Sequence, residues 1–320
     1  MRICRFLLLF LHKKQQQRFI FMHRILSLAV ALLLSVSMSS AKDYTVSKRI
    51  GSSEKLSNNF VNDILAVRGD VWVSTAAGIN KITGLRSIAL KSAGVTKYPI
   101  ENQKANGIVF HKQSNKIFFG TEVGLYVYNL NEGLVQQLSA EDGMPEDNLN
   151  DISIADENNV WLFYSTGKVF RFNCNDFTAE AFMPELKEKI RCGFFDGNRT
   201  LYIGHEHSGM SIIDIKNNTV TRYVHEKGNE KSIPGNNVRR IYVDKQHRMW
   251  VGTEHGMALF SKEKKEFYIV RHPSEQCDDN VYDIKQMNNG ELWVASDYGG
   301  ISIIDPEALR GNVENLHYSD

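Results

Sequence analysis

Short apolar runs alternate with polar turns along most of the chain, and the runs recur at regular spacing. The clearest copy spans residues 237–260, NVRRIYVDKQHRMWVGTEHGMALF. An alternating run from Val238 to Val243 leads to a polar turn, then to the short Trp-centred run Met249-Trp250-Val251. Gly252-Thr253, two free positions and a Gly follow, and a last apolar run ends at Phe260. Each run is too short for a helix and carries the alternation, β-branching and aromatics of a strand.

The same sequence of features returns near 59–82, 106–128, 148–172, 190–214, 236–260 and 279–304. One aromatic marks each copy: Trp72, Phe118, Trp161, Tyr202, Trp250 and Trp293, at intervals of 41 to 48 residues. That period, with about four short strands per unit, predicts an all-β β-propeller of four-stranded antiparallel blades. Strand one is the Asn-x-Val-x-x-Ile segment, strand two carries Trp-Val-Gly-Thr, and strand three follows the Gly. Strand four is a weaker stretch such as 265–270 or 219–224. The aromatic on strand two is expected to fill the space between facing sheets.

Six blades are visible. Residues 44–50 read as a lone outer strand ahead of the first repeat, completing the last blade and removing a sheet edge. Residues 313–318 resemble the outer strand of the sixth blade. Either six blades close directly or a seventh lacks its three inner strands. The second reading is favoured, an incomplete seven-bladed ring in a truncated chain.

Residues 22–41, MHRILSLAVALLLSVSMSSA, have the basic start, apolar core and small-residue end of a secretory signal peptide. Translation is expected to begin at Met22, with 1–21 an over-extended start; the alternative is one long signal region from Met1. Either way the mature chain, residues 42–320, is expected in the periplasm, with no later run long enough to span a bilayer.

The formal net charge of +1 conceals an uneven distribution. Arg2, Arg5, Lys13, Lys14, Arg18 and Arg24 all precede residue 42, leaving 32 basic against 37 acidic side chains beyond it, about −5. A mildly acidic body without a basic stripe argues against nucleic acid as a partner. Cys174, Cys192 and Cys277 form no disulfide framework and no zinc spacing, so buried thiols are expected; a Cys174–Cys192 bridge is the alternative.

In an antiparallel meander the start of strand one and the end of strand two lie at the same end of the blade. Loop positions there that differ between repeats are the site candidates: Glu122, Tyr164, His205, Glu206, His207, Glu254, His255, Asp297 and Tyr298. Arg191, Arg239 and Arg240, near strand-one starts, add positive charge. Carboxylates, imidazoles and an aromatic at one mouth suit a sugar, whose hydroxyls take hydrogen bonds and whose ring stacks on Tyr.

His205-Glu206-His207 with His255 also invites a metal reading, but nothing secures a third ligand, and no metal site is expected. Glu206 with Glu254 suits glycosidic cleavage only at a separation of roughly 5 to 10 Å. No nucleophile elbow, phosphate loop or dinucleotide fingerprint is present, so neither catalysis nor a cofactor is expected.

The repeat, Asn-x-Val-x-x-Ile, then Leu/Met-Trp-Val-Gly-Thr, then Gly-Gly-Ile, resembles the two-component regulator propeller repeat over nearly all of 42–320. The copies at 236–260 and 279–304 match best. Such repeats form the periplasmic sensor region of hybrid two-component systems in glycan-degrading bacteria. There, two seven-bladed propellers precede an immunoglobulin-like domain, a membrane helix, a histidine kinase and a receiver. The resemblance implies sensing of an oligosaccharide outside the inner membrane, usually by a homodimer. This chain shows no second propeller, membrane helix or kinase, so ligand binding without signal transmission is expected of it. A protein-interaction scaffold, and then a secreted propeller lyase or glycan-cleaving enzyme, are the alternatives.

Overall fold

The computed structural model describes residues 28–29, 49–84, 86–92, 98–138, 140–182, 186–270, 280–297 and 300–307. Most of the expected signal peptide, the expected strand at 313–318, Cys277 and Tyr298 lie outside the described residues.

The chain is a β-propeller built of consecutive antiparallel meanders. Blade 1 comprises Val61–Val67, Asp70–Thr75, Gly78–Thr83 and Arg86–Ala89. Blade 2 runs Ala105–His111, Lys116–Thr121, Gly124–Asn129 and Leu134–Leu138. Blade 3 is Leu149–Ile154, Asn159–Tyr164, Val169–Asn173 and Ala179–Phe182. Blade 4 is Ile190–Phe195, Thr200–His205, Met210–Asp214 and Thr219–Tyr223. Blade 5 is Val238–Val243, Met249–Thr253, Gly256–Ser261 and Glu266–Val270. Blade 6 has three strands among the described residues, Val281–Gln286, Leu292–Ser296 and Gly300–Ile304.

First strands of consecutive blades pack side by side from blade 1 to blade 6, so they line the centre. The outer strands face solvent; Thr219–Tyr223 is almost wholly exposed. Among the described residues no comparable packing joins the first strands of blades 6 and 1.

The core is a series of layers between neighbouring blades, and the marker aromatics of blades 1 to 5 decide its spacing. Trp72 sits between blades 1 and 2, Phe118 between 2 and 3, and Trp161 between 3 and 4. Tyr202 fills the next seam and Trp250 the one between blades 5 and 6. Each aromatic faces the following blade, and a buried side chain of this size contributes about 1.5–3 kcal/mol. Ile50 and Leu56 pack on the face of blade 1 that is turned away from blade 2, against Ile64, Val73 and Ile82. The described end of the expected lone strand, Arg49–Ile50, pairs with Leu28–Ala29 rather than with the sixth blade. Burial of Ile50 against blade 1 accounts for its position.

Cys174 and Cys192 are free and buried in different seams, so no bridge joins them. Burial pushes the Cys174 thiol up to about 12, leaving it an unreactive apolar group.

Candidate functional site

Every first strand carries a β-bulge near its start. The register shifts between Val61 and Asp63, Ala105 and Ile108, and Leu149 and Asp151 in blades 1 to 3. It shifts again between Ile190 and Cys192, Val238 and Arg240, and Val281 and Asp283 in blades 4 to 6. A bulge twists the strand and re-aims the extra side chain. The bulged positions are therefore equivalent: Asn62, Asn106, Asn150, Arg191, Arg239 and Tyr282.

In blades 1 to 3 the bulged Asn serves the ring itself. Asn62 Nδ2 donates to the Ala105 carbonyl at 2.7 Å, Asn106 Nδ2 to Leu149 at 3.1 Å, and Asn150 Nδ2 to Ile190 at 2.6 Å. Each acceptor opens the next blade. Blades 4 and 5 replace this clasp with guanidinium groups. Arg191 Nη2 donates to Glu206 Oε1 at 3.1 Å, and the Arg239 guanidinium lies 4.5 Å over the Tyr282 ring.

The turn after strand two shares this face in all six blades. The N–H groups of Ala76, Glu122, Ser165, Glu206, Glu254 and Asp297 donate to the carbonyls of Phe60, Lys104, Asn148, Lys189, Asn237 and Asn280, just ahead of the first strands. Blades 4 to 6 thus place three carboxylates beside two arginines and a tyrosine. The equivalent positions of blades 1 to 3 hold Ala76, Glu122 and Ser165, and Glu122 Oε1 accepts the Lys104 N–H at 3.3 Å.

Glu206 also lies 3.5 Å from Lys189 Nζ and 3.9 Å from His207. Glu254 Oε2 accepts the Asn237 N–H at 2.7 Å, and His255 sits 4.0 Å from Oε1. Asp297 accepts from Tyr282 Oη at 3.3 Å and Asn280 Nδ2 at 3.4 Å. His207 and His255 are open, at 79% and 70% side-chain exposure.

Three expected members lie elsewhere. Tyr164 is fully buried in the seam between blades 2 and 3, with its ring 5.6 Å from Phe170. Burial raises its phenol well above the usual range. His205 is fully buried too, its Nε2 2.7 Å from Ser211 Oγ. Both occupy the strand-two position that holds Thr75, Thr121 and Thr253. Those hydroxyls close the following turn by donating to the carbonyls of Gly78, Gly124 and Gly256 at 2.8, 2.9 and 3.0 Å. That position faces the blade, so variation there reflects packing. Arg240, one residue beyond the bulge, turns inward to Asp283 and Asp151.

The metal reading depended on His205 and His207 facing one way. The strand ends at His205 and the chain turns, so one imidazole is buried and the other exposed. Among the described residues no group of three or more His, Cys, Asp or Glu converges.

Tyr282, Lys189 and Asn280 are mouth residues that loop variability did not reveal. Aligning the six first strands on the residue after the opening apolar position brings Tyr282 into line with Arg191 and Arg239. A separate groove of ≈ 380 Å³ opens on the rim between the outer strands of blades 4 and 5, lined by Arg222, Tyr223, Ser232, Ile233 and Phe267.

Residues 232–255 match the model of the two-component regulator propeller. The fold is similar to the extracellular domain of the hybrid two-component system BT3049 of B. thetaiotaomicron, at 25% identity and a TM-score of 0.68, over 82% of this chain and 36% of that one. It is also similar to PorZ of Porphyromonas gingivalis, at 16% identity and a TM-score of 0.58, over 77% and 38% of the two chains. Histidine kinase P4 of Formosa agariphila is 23% identical over 176 residues, which is 51% of this chain and 13% of that protein. The chain thus spans well under half the length of each relative. No helix among the described residues is long and apolar enough to cross a membrane. The chain is thus a β-propeller, one stretch of which, residues 232–255, matches the two-component regulator propeller.

Proposed function

We propose that this chain is an extracytoplasmic ligand-sensing propeller that binds an oligosaccharide at the mouth of blades 4 to 6, without turning it over. The observation that carries this reading is the division of the ring. At equivalent positions, blades 1 to 3 carry Asn side chains that tie blade to blade, while blades 4 to 6 carry Arg191, Arg239 and Tyr282 with Glu206, Glu254 and Asp297. Such a set offers donors, acceptors and an aromatic ring within one mouth, as sugar recognition needs. Similarity to extracellular domains of two-component systems supports export to the periplasm and a role in sensing. Kinase chemistry then belongs to a longer sensor protein or to a partner, with a homodimer as the signalling unit.

A thermal-shift screen of the chain against plant and host glycan oligosaccharides tests the proposal. A ligand that binds the native state raises the melting temperature. The shift should disappear in Arg239→Ala and Tyr282→Ala. A shift unaffected by either substitution places binding away from the mouth, and the absence of any shift favours a protein-docking propeller.

A further inference from the structure

We infer that Arg191 is a two-position latch between blades 4 and 5. In this structure it holds Glu206 of its own blade. A ligand hydroxyl that donates to Glu206 releases it to Asn237 of the next blade, which closes the seam. The inference rests on the reading of the mouth as a glycan site and adds how occupancy reaches the ring.

Equivalence of position carries the first step. Between blades 2 and 3, the bulged Asn106 crosses to the residue ahead of the next first strand. Its Nδ2 donates to Asn148 Oδ1 at 2.8 Å and to the Leu149 carbonyl at 3.1 Å. Asn237 is the counterpart of Asn148: both precede a first strand, and both carbonyls accept the turn N–H of their own blade. Arg191 is the counterpart of Asn106, at the same bulge. The carbonyl that corresponds to Leu149 is that of Val238, which Cys192 Sγ approaches at 3.8 Å, a weak donor in the place of an amide.

Two unsatisfied atoms carry the second. Arg191 Nε and Asn237 Oδ1 are both buried, and neither has a hydrogen-bond partner among the described residues. One is a donor and the other an acceptor. They belong to the two positions that bond directly across the seam between blades 2 and 3. A buried polar group left unpaired is costly, so a conformation that joins them gains what the present one forgoes. Glu206 holds Arg191 back: its Oε1 accepts from Nη2 at 3.1 Å, with Lys189 Nζ 3.5 Å from Oε2. Asn237 is held in place to receive it. Glu254 Oε2 accepts its N–H at 2.7 Å, and that carboxylate packs so closely on Gly235 that an added Cβ there would lie 2.8 Å away. Arg191 keeps 35% side-chain exposure, so it turns without unpacking the core. A partly exposed ion pair contributes little, so the two positions lie close in free energy. A sugar hydroxyl competing for Glu206 is then enough to shift Arg191 from one to the other.

The test is a double-mutant cycle on urea unfolding of the full chain, which needs no ligand and so stands apart from the glycan reading. Glu206→Ala releases Arg191, and Asn237→Leu removes its second acceptor. Asn237→Leu alone should change the unfolding constant less than about twofold, because Oδ1 is unengaged while Glu206 holds Arg191. The double variant should unfold about fivefold or more readily than the product of the two single effects. Arg191→Met should abolish this coupling, and Asn237→Asp, which keeps an acceptor at the site, should preserve it. Asn148→Leu breaks a bond already made, so its cost should be the same with and without Glu206. Asn237→Ala repeats the cycle with no added volume, and circular dichroism of each variant establishes that the ring is intact. Single effects that simply multiply, or a coupling that persists in Arg191→Met, overturn the latch and leave the glycan reading standing.

Discussion

The Arg240 guanidinium and the Asp283 carboxylate meet at 2.9 Å, joining the first strands of blades 5 and 6. Arg240 also lies 3.8 Å from Asp151 of blade 3, whose carboxylate accepts the Gly193 N–H of blade 4 at 3.1 Å. One largely buried cation therefore gathers four blades. Removing it alone leaves two carboxylates without their shared counter-charge, a loss of about 3–5 kcal/mol for buried pairs. Arg240→Met should lower the urea midpoint accordingly, and adding Asp283→Asn should restore part of the loss. A midpoint unchanged in Arg240→Met would remove the pair from the energetics of the ring.

His205 makes stability depend on pH. Burial, with the Arg222 charge adding to it, holds its imidazole at about 4 against an ordinary 6.5. The unfolded chain takes up a proton near pH 6.5, whereas the folded one resists until about pH 4. The contribution is whole above pH 6.5, declines as pH falls, and is lost below about 4, on the order of 3 kcal/mol. His205→Thr should flatten the melting temperature across that window. Glu188 marks a lower one: the Arg222 hydrogen bond holds it at about 2 against 4.5, so its contribution fades only between those values. A His205→Thr protein with the full wild-type slope from pH 6.5 to 4 would assign the dependence elsewhere.

The blades were legible in the sequence because strand periodicity and a buried aromatic repeat are local signals. Trp72, Trp161 and Trp250 sit where the repeat predicts them. The shared face was legible too, since hairpin connectivity alone puts strand-two ends beside strand-one starts. Side-chain direction was not. Tyr164 and His205 vary between repeats as mouth residues do, yet their register turns them into the blade. Tyr282 reads as an ordinary strand aromatic until the bulge lifts it into the row of Arg191 and Arg239. The Arg240 pairing spans non-adjacent blades, a relation set by the curvature of successive first strands around the centre and invisible to local pattern.

The clasps of blades 1 to 3 should affect stability and leave binding alone. Asn62→Ala and Asn150→Ala each remove one side-chain donor and leave a carbonyl, Ala105 or Ile190, without it. A loss of about 1 kcal/mol each is expected in denaturant unfolding. Glycan affinity at the mouth should hold. Affinity falling with Asn62→Ala would extend the binding sector into blade 1.

Asp244 organises the far end of blade 5, and its removal should be strongly destabilising. Its Oδ1 accepts the N–H groups of Gln246 and Arg248 at 2.9 Å, setting the turn between strands one and two. Its Oδ2 accepts Arg248 Nε at 2.6 Å and the Trp250 indole N–H at 3.0 Å. The ring of Trp250 fills the seam to blade 6, while Arg248 continues to Glu307 at 2.9 Å. Asp244→Ala therefore leaves the nearly buried Arg248 without its closer carboxylate and strands the indole N–H, at a cost of about 3 kcal/mol. Trp250→Phe keeps most of the packing and deletes one donor, at about 1 kcal/mol plus a modest volume term. Unfolding followed by circular dichroism should rank the two in that order. The reverse order would mean that indole volume, rather than the carboxylate network, holds this blade to its neighbour.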